Sequence, residues 1–277
     1  MSAWNQTILV AAVAASGIAL GQLYFSRSYK RAVSGALAAI GWIGFLLIAH
    51  LLHQNTLCSK LDWIAASRSK YVLICFAICL GLVSPLRYLN RRYKKTLTLA
   101  ILTCFLLLFI GLPFAAPAIM QRQIQNFPNQ LDSEGLCRQS LPYTCGPAAA
   151  VCALRQLGLE SCESQIAQAA GTAPWLGTCS WDLYRALNRI YPKEQLQCRY
   201  GRFQSLDQLP NGSFSLAVMR EGFLMDHCVA ILKITPSEVF LADPSAGLRI
   251  LSRLEFQNAW RHTAIVLTRP QLSLVWP

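Results

Sequence analysis

Acidic residues are nearly missing from the first 120 positions, which carry Asp62 alone against eleven Lys and Arg. Residues 121–277 carry fourteen Lys and Arg against twelve Asp and Glu, so the formal net charge of +12 is almost wholly N-terminal. A basic excess can mark a nucleic-acid partner. Here the basic residues fall in short clusters between long apolar runs, the pattern of a multi-pass membrane protein, and no nucleic-acid partner is expected. Histidine is scarce at four residues, which leaves few candidates for a general base. No GxxxxGK[ST] run occurs, so a nucleotide-binding P-loop of that type is excluded. Internal repeats and low-complexity tracts are also lacking, which excludes a repeat architecture.

The N-terminal part is instead rich in hydrocarbon. Four segments, Ile8–Phe25, Ala32–Leu52, Tyr71–Leu86 and Leu97–Met120, are long enough, or nearly so, to cross about 30 Å of bilayer core. The first has no basic region ahead of it and three further spans behind it, so it reads as retained rather than as a cleaved signal. The third is the shortest and ends in Ser84-Pro85, which suits a tilted or re-entrant element. Arg27, Lys30 and Arg31 lie between the first two spans, and Arg87, Arg91, Arg92, Lys94 and Lys95 between the last two. Basic residues gather on the cytoplasmic side. That predicts an inner- or plasma-membrane protein in which Met1–Thr7, the loop with Lys60, Arg68 and Lys70, and the chain from Arg122 onward face outward. The tally is eight basic residues inside against four outside, Arg122 included. Membrane lipid is thus one partner. GIALG at Gly17–Gly21 has the small-xxx-small spacing that lets membrane helices approach, a signal for a partner helix.

Residues 1–120 are read as the membrane domain, 121–131 as a polar linker rich in Gln and Asn, and 132–277 as a separate domain. In that domain, helices are predicted at Gly146–Leu157, Glu163–Ala170 and Trp181–Ile190, with Ser180 as N-cap of the last. Strands are predicted at Leu196–Tyr200, Ser213–Arg220, His227–Ile234, Glu238–Ala242 and Ala264–Thr268, with a late helix near Leu251–Trp260. Helices first and an antiparallel sheet after them make an α+β fold.

Eleven cysteines are present. Cys75, Cys79 and Cys104 fall in the spans and Cys58 in a loop, where small apolar residues need no special role. The other seven are Cys137, Cys145, Cys152, Cys162, Cys179, Cys198 and Cys228. Setting aside one nucleophile leaves an even number, which predicts disulfides among some of them and an oxidising compartment. Cys152 and Cys228 are the least suited to pair, since each neighbours the candidate site.

QSLPYTCGPAAAV, Gln139 to Val151, carries the chemistry. Pro147 suits the first turn of a helix, the alanines propagate it and Gly158 stops it. Cys145 therefore sits where backbone N–H groups converge, a setting that favours thiolate over thiol. A thiol nucleophile needs a base, and the base needs a group to orient it. His50 and His53 belong to the membrane half, leaving His227 and His262. His227 opens the apolar run HCVAILKI, and Asp243 closes the next strand in FLADPSAG. A turn at Thr235-Pro236-Ser237 folds the two strands into a hairpin and sets His227 beside Asp243. His262 has no acid close by and is the lesser candidate. Asp226 points to the other face of a regular strand. Trp175 and Trp181 flank a Gly-containing turn that could wall a substrate cleft. Each residue has a plainer role: disulfide partner for Cys145, satisfied core histidine for His227, turn former for Asp243.

Taken in order, Gln139, Cys145 within CGP, His227 heading a strand and Asp243 in a D-P turn resemble the bacteriocin-processing, double-glycine leader peptidases of the papain clan. The resemblance runs from about Asp132 to the end and extends to GTCSWDLYRAL at Gly177–Leu187 and EFQNAW at Glu255–Trp260. It implies a papain-like cysteine peptidase domain after about four transmembrane helices. It also implies Cys145 as nucleophile, His227 as base then acid, Asp243 as orienting partner, Gln139 as oxyanion donor, and no metal or organic cofactor. The partners it implies are a polypeptide substrate and an export system. Members usually carry the peptidase ahead of a transporter and act in the cytoplasm on a Gly-Gly leader, whereas here the membrane part comes first. The leading expectation is a membrane-anchored peptidase acting on exported polypeptides. The alternatives are a cytoplasm-facing leader peptidase for a separate exporter and a non-catalytic peptide-binding module.

Overall fold

A computed structural model describes residues 3–55, 64, 66–174, 176–193, 195–210, 212–222 and 225–270. The chain divides into two compact units, Met1–Met120 and Gln121–Pro277. Cys58, Lys60, Asp62 and Trp175 lie outside the described residues.

The first unit is helical. Helix α1 spans Ala3–Tyr24, α2 Tyr29–Asn55, α3 Ser69–Ala77 and α4 Arg92–Leu106. Helix α3 runs on through a widened turn, Ile78–Leu82, and a tightened one, Ser84–Tyr88. Helix α4 runs on through widened turns at Leu107–Ala115 and a last turn at Ala116–Ile119. Four stretches, Ala3–Tyr24, Tyr29–Ile48, Ser69–Tyr88 and Arg92–Ile119, are long and apolar enough to cross a membrane. The third is longer than its sequence suggested, because Pro85 is absorbed in the tightened turn at Ser84–Tyr88 instead of ending the helix. Pro113 and Pro117 interrupt the fourth. Pro117 has no N–H to return to the Pro113 carbonyl, which accepts from Arg68 Nη1 at 3.1 Å instead.

The small residues of α1 face this same unit. A Cβ on Gly17 would stand 3.0 Å from Cys79 Cβ, and one on Gly21 would collide with the Leu80 carbonyl oxygen. The GIALG face is therefore spent on contact with the extension of α3 within the chain, not on a partner helix. Replacing Gly21 by Val should force the two helices apart at a cost of about 1–3 kcal/mol, the usual penalty for overpacking. A lowered thermal midpoint of the detergent-solubilised protein checks it, and an unchanged midpoint would refute the close packing.

The second unit begins with a short helix α5, Gln121–Gln125, and with β1, Gln130–Leu131, where sequence suggested a linker over 121–131; β1 pairs with β2, Cys137–Arg138, in a small ribbon. Three helices follow: α6 at Cys145–Gln156, α7 at Glu163–Ala170 and α8 at Ser180–Ile190. The remaining strands are β3 Gln197–Arg202, β4 Phe214–Gly222, β5 Met225–Ile234, β6 Glu238–Asp243, β7 Gly247–Ser252 and β8 Trp260–Thr268, with α9, Arg253–Ala259, ahead of the last. They form an antiparallel sheet in the order β3-β8-β4-β5-β6-β7. The fold is α+β.

The helices α6, α7 and α8 cover one face, where Leu154, Ile166 and Leu187 share a core with Leu216, Ala230 and Ala242. On the other face Phe256 of α9 and Trp260 pack on Val229 and Leu241. Ala148, Ala149 and Ala150 are fully buried, and their small side chains let α6 lie close on the sheet. Ser180 does not cap α8. Cys179 occupies that position, and the Ser180 hydroxyl lies 3.4 Å from Tyr200 Oη. The side-chain cap is found at α9 instead, where Ser252 and Glu255 form a capping box.

The expected disulfides are not present: Cys137, Cys145, Cys152, Cys162, Cys179, Cys198 and Cys228 are all free thiols. Cys137 and Cys152 are buried together, yet each sulfur turns to the backbone: Cys137 Sγ donates to Arg138 O at 3.7 Å, and Cys152 Sγ accepts from Cys137 N at 3.1 Å and donates to Cys137 O at 3.5 Å. Burial pushes the Cys152 thiol up to about 11 and the Cys198 thiol up to about 12, so both behave as small apolar side chains. The even count therefore marks no pairing, and its support for an oxidising compartment falls away.

Candidate active site

Cys145 is the first residue of α6 and is half-buried. The loop before it closes on itself, since Thr144 Oγ1 donates to Leu141 O at 2.9 Å and accepts from Leu141 N at 3.1 Å. Gln139, at the start of that loop, donates its backbone N–H to Pro244 O at 3.0 Å. The Arg138 guanidinium bonds the Ser245 carbonyl beside it. Two points thus tie the loop leading to Cys145 to the turn that carries Asp243.

His227 is the third residue of β5 and Asp243 the last of β6. Thr235 closes the hairpin as expected, its N–H donating to Glu238 O at 2.8 Å and its Oγ1 accepting from Glu238 N at 2.8 Å. The register pairs Ala230 with Ala242, which carries Asp243 toward the His227 end of β5. His227 Nε2 lies 2.8 Å from Asp243 Oδ1, and both side chains are buried. The Cys145 side chain is close enough to His227 to act on its pKa. With Nε2 occupied by Asp243, Nδ1 is the nitrogen left for the sulfur. Glu221 Oε2 lies 3.9 Å from Nδ1, on an exposed side chain.

The carboxylate of Asp243 is fully engaged. Oδ1 also accepts from Ser245 N at 2.8 Å and Ser245 Oγ at 2.7 Å, and Oδ2 accepts from Arg249 Nη1 at 2.7 Å. Burial works to raise its pKa, but the hydrogen bonds from His227, Arg249 and Ser245 hold it well below the usual carboxylate range. Burial works to lower that of His227, yet the Asp243 and Cys145 hydrogen bonds and the charge on both push it up to about 10. Both partners thus favour the cationic form of the imidazole, on the ring that faces the sulfur.

Sequence reasoning placed Gln139, Cys145, His227 and Asp243, and the structure brings the last three together, with Gln139 bound to the Asp243 turn. His262 stands apart, with Nδ1 3.1 Å from Phe203 O and its ring 5.1 Å from Trp260 on the α9 side of the sheet. Asp226 accepts from Arg261 Nε at 2.8 Å. Trp181 packs against Tyr200 and Tyr184, with ring centroids 5.0 and 5.2 Å away. Sequence reasoning missed Ser245 and Arg249. Ser245 carried a signal, because a D-P-S turn lets a carboxylate accept from the backbone two residues on. Arg249 carried none, because its reach to Asp243 depends on the β6–β7 pairing.

An antiparallel sheet with helices on one face and a thiol at the head of the central helix is the build of a papain-like cysteine peptidase domain. A sequence model of the Peptidase C39 family matches residues 133–271, half of the chain, and the chain belongs to that family. It is a cysteine peptidase. An uncharacterised protein of Methanothermobacter marburgensis is 30% identical over 141 residues, covering 51% of this chain and 93% of its own. One of Methanothermobacter thermautotrophicus is 29% identical over 140 residues, covering 50% and 92%. Among solved structures, the peptidase domain of Streptococcus ComA, a bi-functional ABC transporter involved in a quorum-sensing pathway, aligns over 48% of this chain and 96% of its own at 17% identity and a TM-score of 0.40. A double glycine motif protease from an AMS/PCAT transporter, in complex with the leader peptide, aligns over 50% and 92% at 13% identity and a TM-score of 0.41.

Proposed function

We propose that the chain is a membrane-anchored peptidase that cuts exported polypeptides with Cys145, His227 and Asp243 as its catalytic triad. The observation that carries this reading is the 2.8 Å bond from His227 Nε2 to Asp243 on one side of the ring, with the Cys145 thiol on the other. Cys145 Sγ attacks the scissile carbonyl carbon and forms a tetrahedral oxyanion. The backbone N–H of Cys145 and the Gln139 side-chain amide donate to that oxygen. Gln139 Oε1 is buried with no hydrogen-bond partner, and rotation of the amide sets Nε2 at that position as a free donor. The C–N bond breaks as His227 passes its proton to the leaving amine, leaving a thioester. His227 then takes a proton from water, whose oxygen attacks the thioester carbon; the carbon–sulfur bond breaks, releasing the acid and leaving the Cys145 thiolate beside the protonated imidazole.

Four apolar helices support the anchor, and the basic loops between them support a peptidase domain on the outer face. A second reading keeps the triad but turns the domain to the cytoplasm, as a leader peptidase for a separate exporter. The free thiols of the second unit favour it, since a reducing compartment keeps cysteines unpaired.

Alkylation of intact cells with a membrane-impermeant maleimide tests both. Cys162 needs removal first by Cys162→Ser: burial works against its thiolate, but bonds from Ser164 and the backbone N–H groups of Gln165 and Ser164 lower its pKa overall. Fast labelling at Cys145 in intact cells is expected, absent from Cys145→Ala and mapped by mass spectrometry. Labelling only after permeabilisation would transfer the function to the cytoplasmic face. An inert Cys145 under both conditions would overturn the enzyme mechanism in favour of a peptide-binding module.

A further inference from the structure

We infer that Glu163, through its two bonds to Ser140 beside Gln139, is a positioning residue that holds the oxyanion donors of the Gln139–Cys145 loop in register. The inference rests on the mechanism above. Glu163 opens α7 and is completely buried. Its Oε1 accepts from Ser140 N at 3.0 Å and its Oε2 from Ser140 Oγ at 2.7 Å. Ser140 follows Gln139 directly, and the loop from Ser140 to Thr144 leads into Cys145. One carboxylate therefore grips the start of that loop through both polar groups of Ser140, next to the side chain that would donate to the oxyanion.

The same residue is anchored from behind. Its backbone N–H donates to Asn129 Oδ1 at 2.8 Å, and Asn129 Nδ2 donates to Ser161 O at 2.8 Å. No Lys or Arg pairs with the Glu163 carboxylate among the described residues. A buried carboxylate without a cation is expensive, and an apolar residue of similar size would serve packing alone at lower cost. Burial raises the pKa of Glu163 overall, and the bonds from Ser140 offset only part of that rise. What the carboxylate supplies and an apolar side chain could not is two acceptors at fixed spacing. They hold the Ser140 N–H and hydroxyl, and so the turn of the chain between Gln139 and Cys145. Oxyanion stabilisation depends on donors being fixed before the charge develops.

Two reactions of the same thiol separate positioning from folding. Iodoacetamide alkylates Cys145 by displacement of iodide, with no oxyanion. p-Nitrophenyl acetate acylates it, as sulfur adds to the ester carbonyl, an oxyanion forms, and p-nitrophenolate leaves. Both are small enough to need no substrate recognition. Measured on the full chain in detergent with Cys145→Ala as blank, Glu163→Ala should slow acylation about 10²-fold, the scale of one lost oxyanion donor, and leave the alkylation rate within about twofold. Glu163→Gln should recover most of the acylation, because its amide can accept from Ser140 N and donate to Ser140 Oγ. Ser140→Ala, which deletes one bond and keeps the fold, gives the same split at smaller size if Glu163→Ala does not fold. Loss of both rates together, or of neither, would overturn the positioning role. A wild-type Cys145 that iodoacetamide leaves untouched would instead overturn the nucleophile assignment on which the inference stands.

Discussion

Cys145→Ala should lose about 10⁴–10⁶ in turnover of any polypeptide the protein processes, the scale on which removal of a nucleophile acts in acyl-transfer enzymes. Alanine cannot form the thioester, and the oxyanion donors and cleft that remain supply only a residual rate. The fold should survive intact. Position 145 is half-buried at the first turn of α6, alanine propagates a helix well, and the rest of the helix is held by the buried Ala148–Ala150 and Leu154. The expected result is an unchanged thermal midpoint with processing abolished. Processing at the wild-type rate would remove Cys145 from the mechanism.

The second large effect is on pH dependence. The raised pKa of His227, about 10, means that its bond to Asp243 contributes stability fully below an unfolded value of about 6.5, and that this contribution fades as pH rises through about 10. Asp243 has the opposite sign. Its pKa is depressed, so its contribution is present above an unfolded value of about 3.9 and is lost as pH falls through its lower folded value. The pair is thus intact across the whole neutral range, and the alkaline limb of activity should lie near the His227 value. Asp243→Asn removes the charge and the strongest acceptor holding His227 up. Burial then dominates, and the alkaline limb should fall toward or below the ordinary histidine value. At about pH 8 the loss should reach roughly 10²–10⁴, the worth of a positioned acid and base, with partial recovery at lower pH. A uniform loss with no displacement of the limb would show that Asp243 only supports the turn.

Much of the site could be read along the chain. Pro147, the alanines and Gly158 mark out α6, and Gly158 indeed stands in the left-handed region at φ +67°. The apolar run from His227 and the Thr235 turn mark the hairpin that joins β5 to β6. Strand β7 was missed. It lies at the sheet edge with Leu248 and Ile250 exposed, so its apolar residues carry no sign of burial on both faces. With β7 missed, Arg249 was missed too. Disulfides were expected from a count, and counting cannot see that Cys137 and Cys152 already have backbone partners. The Gly17–Gly21 spacing signalled a partner helix, and sequence did not say that the extension of α3 within the chain is the helix that meets it.

By itself the sequence determined the four apolar helices, the helix headed by Cys145 and the hairpin that carries His227 and Asp243. Hydropathy, helix signals and turn chemistry act over a few residues, so they survive reading one position at a time. Tertiary structure alone decided that Pro244 receives the Gln139 N–H, that Arg249 completes the shell of Asp243, and that Glu163 grips Ser140. Each of those bonds joins residues on separate elements, and packing and strand register set which of them meet.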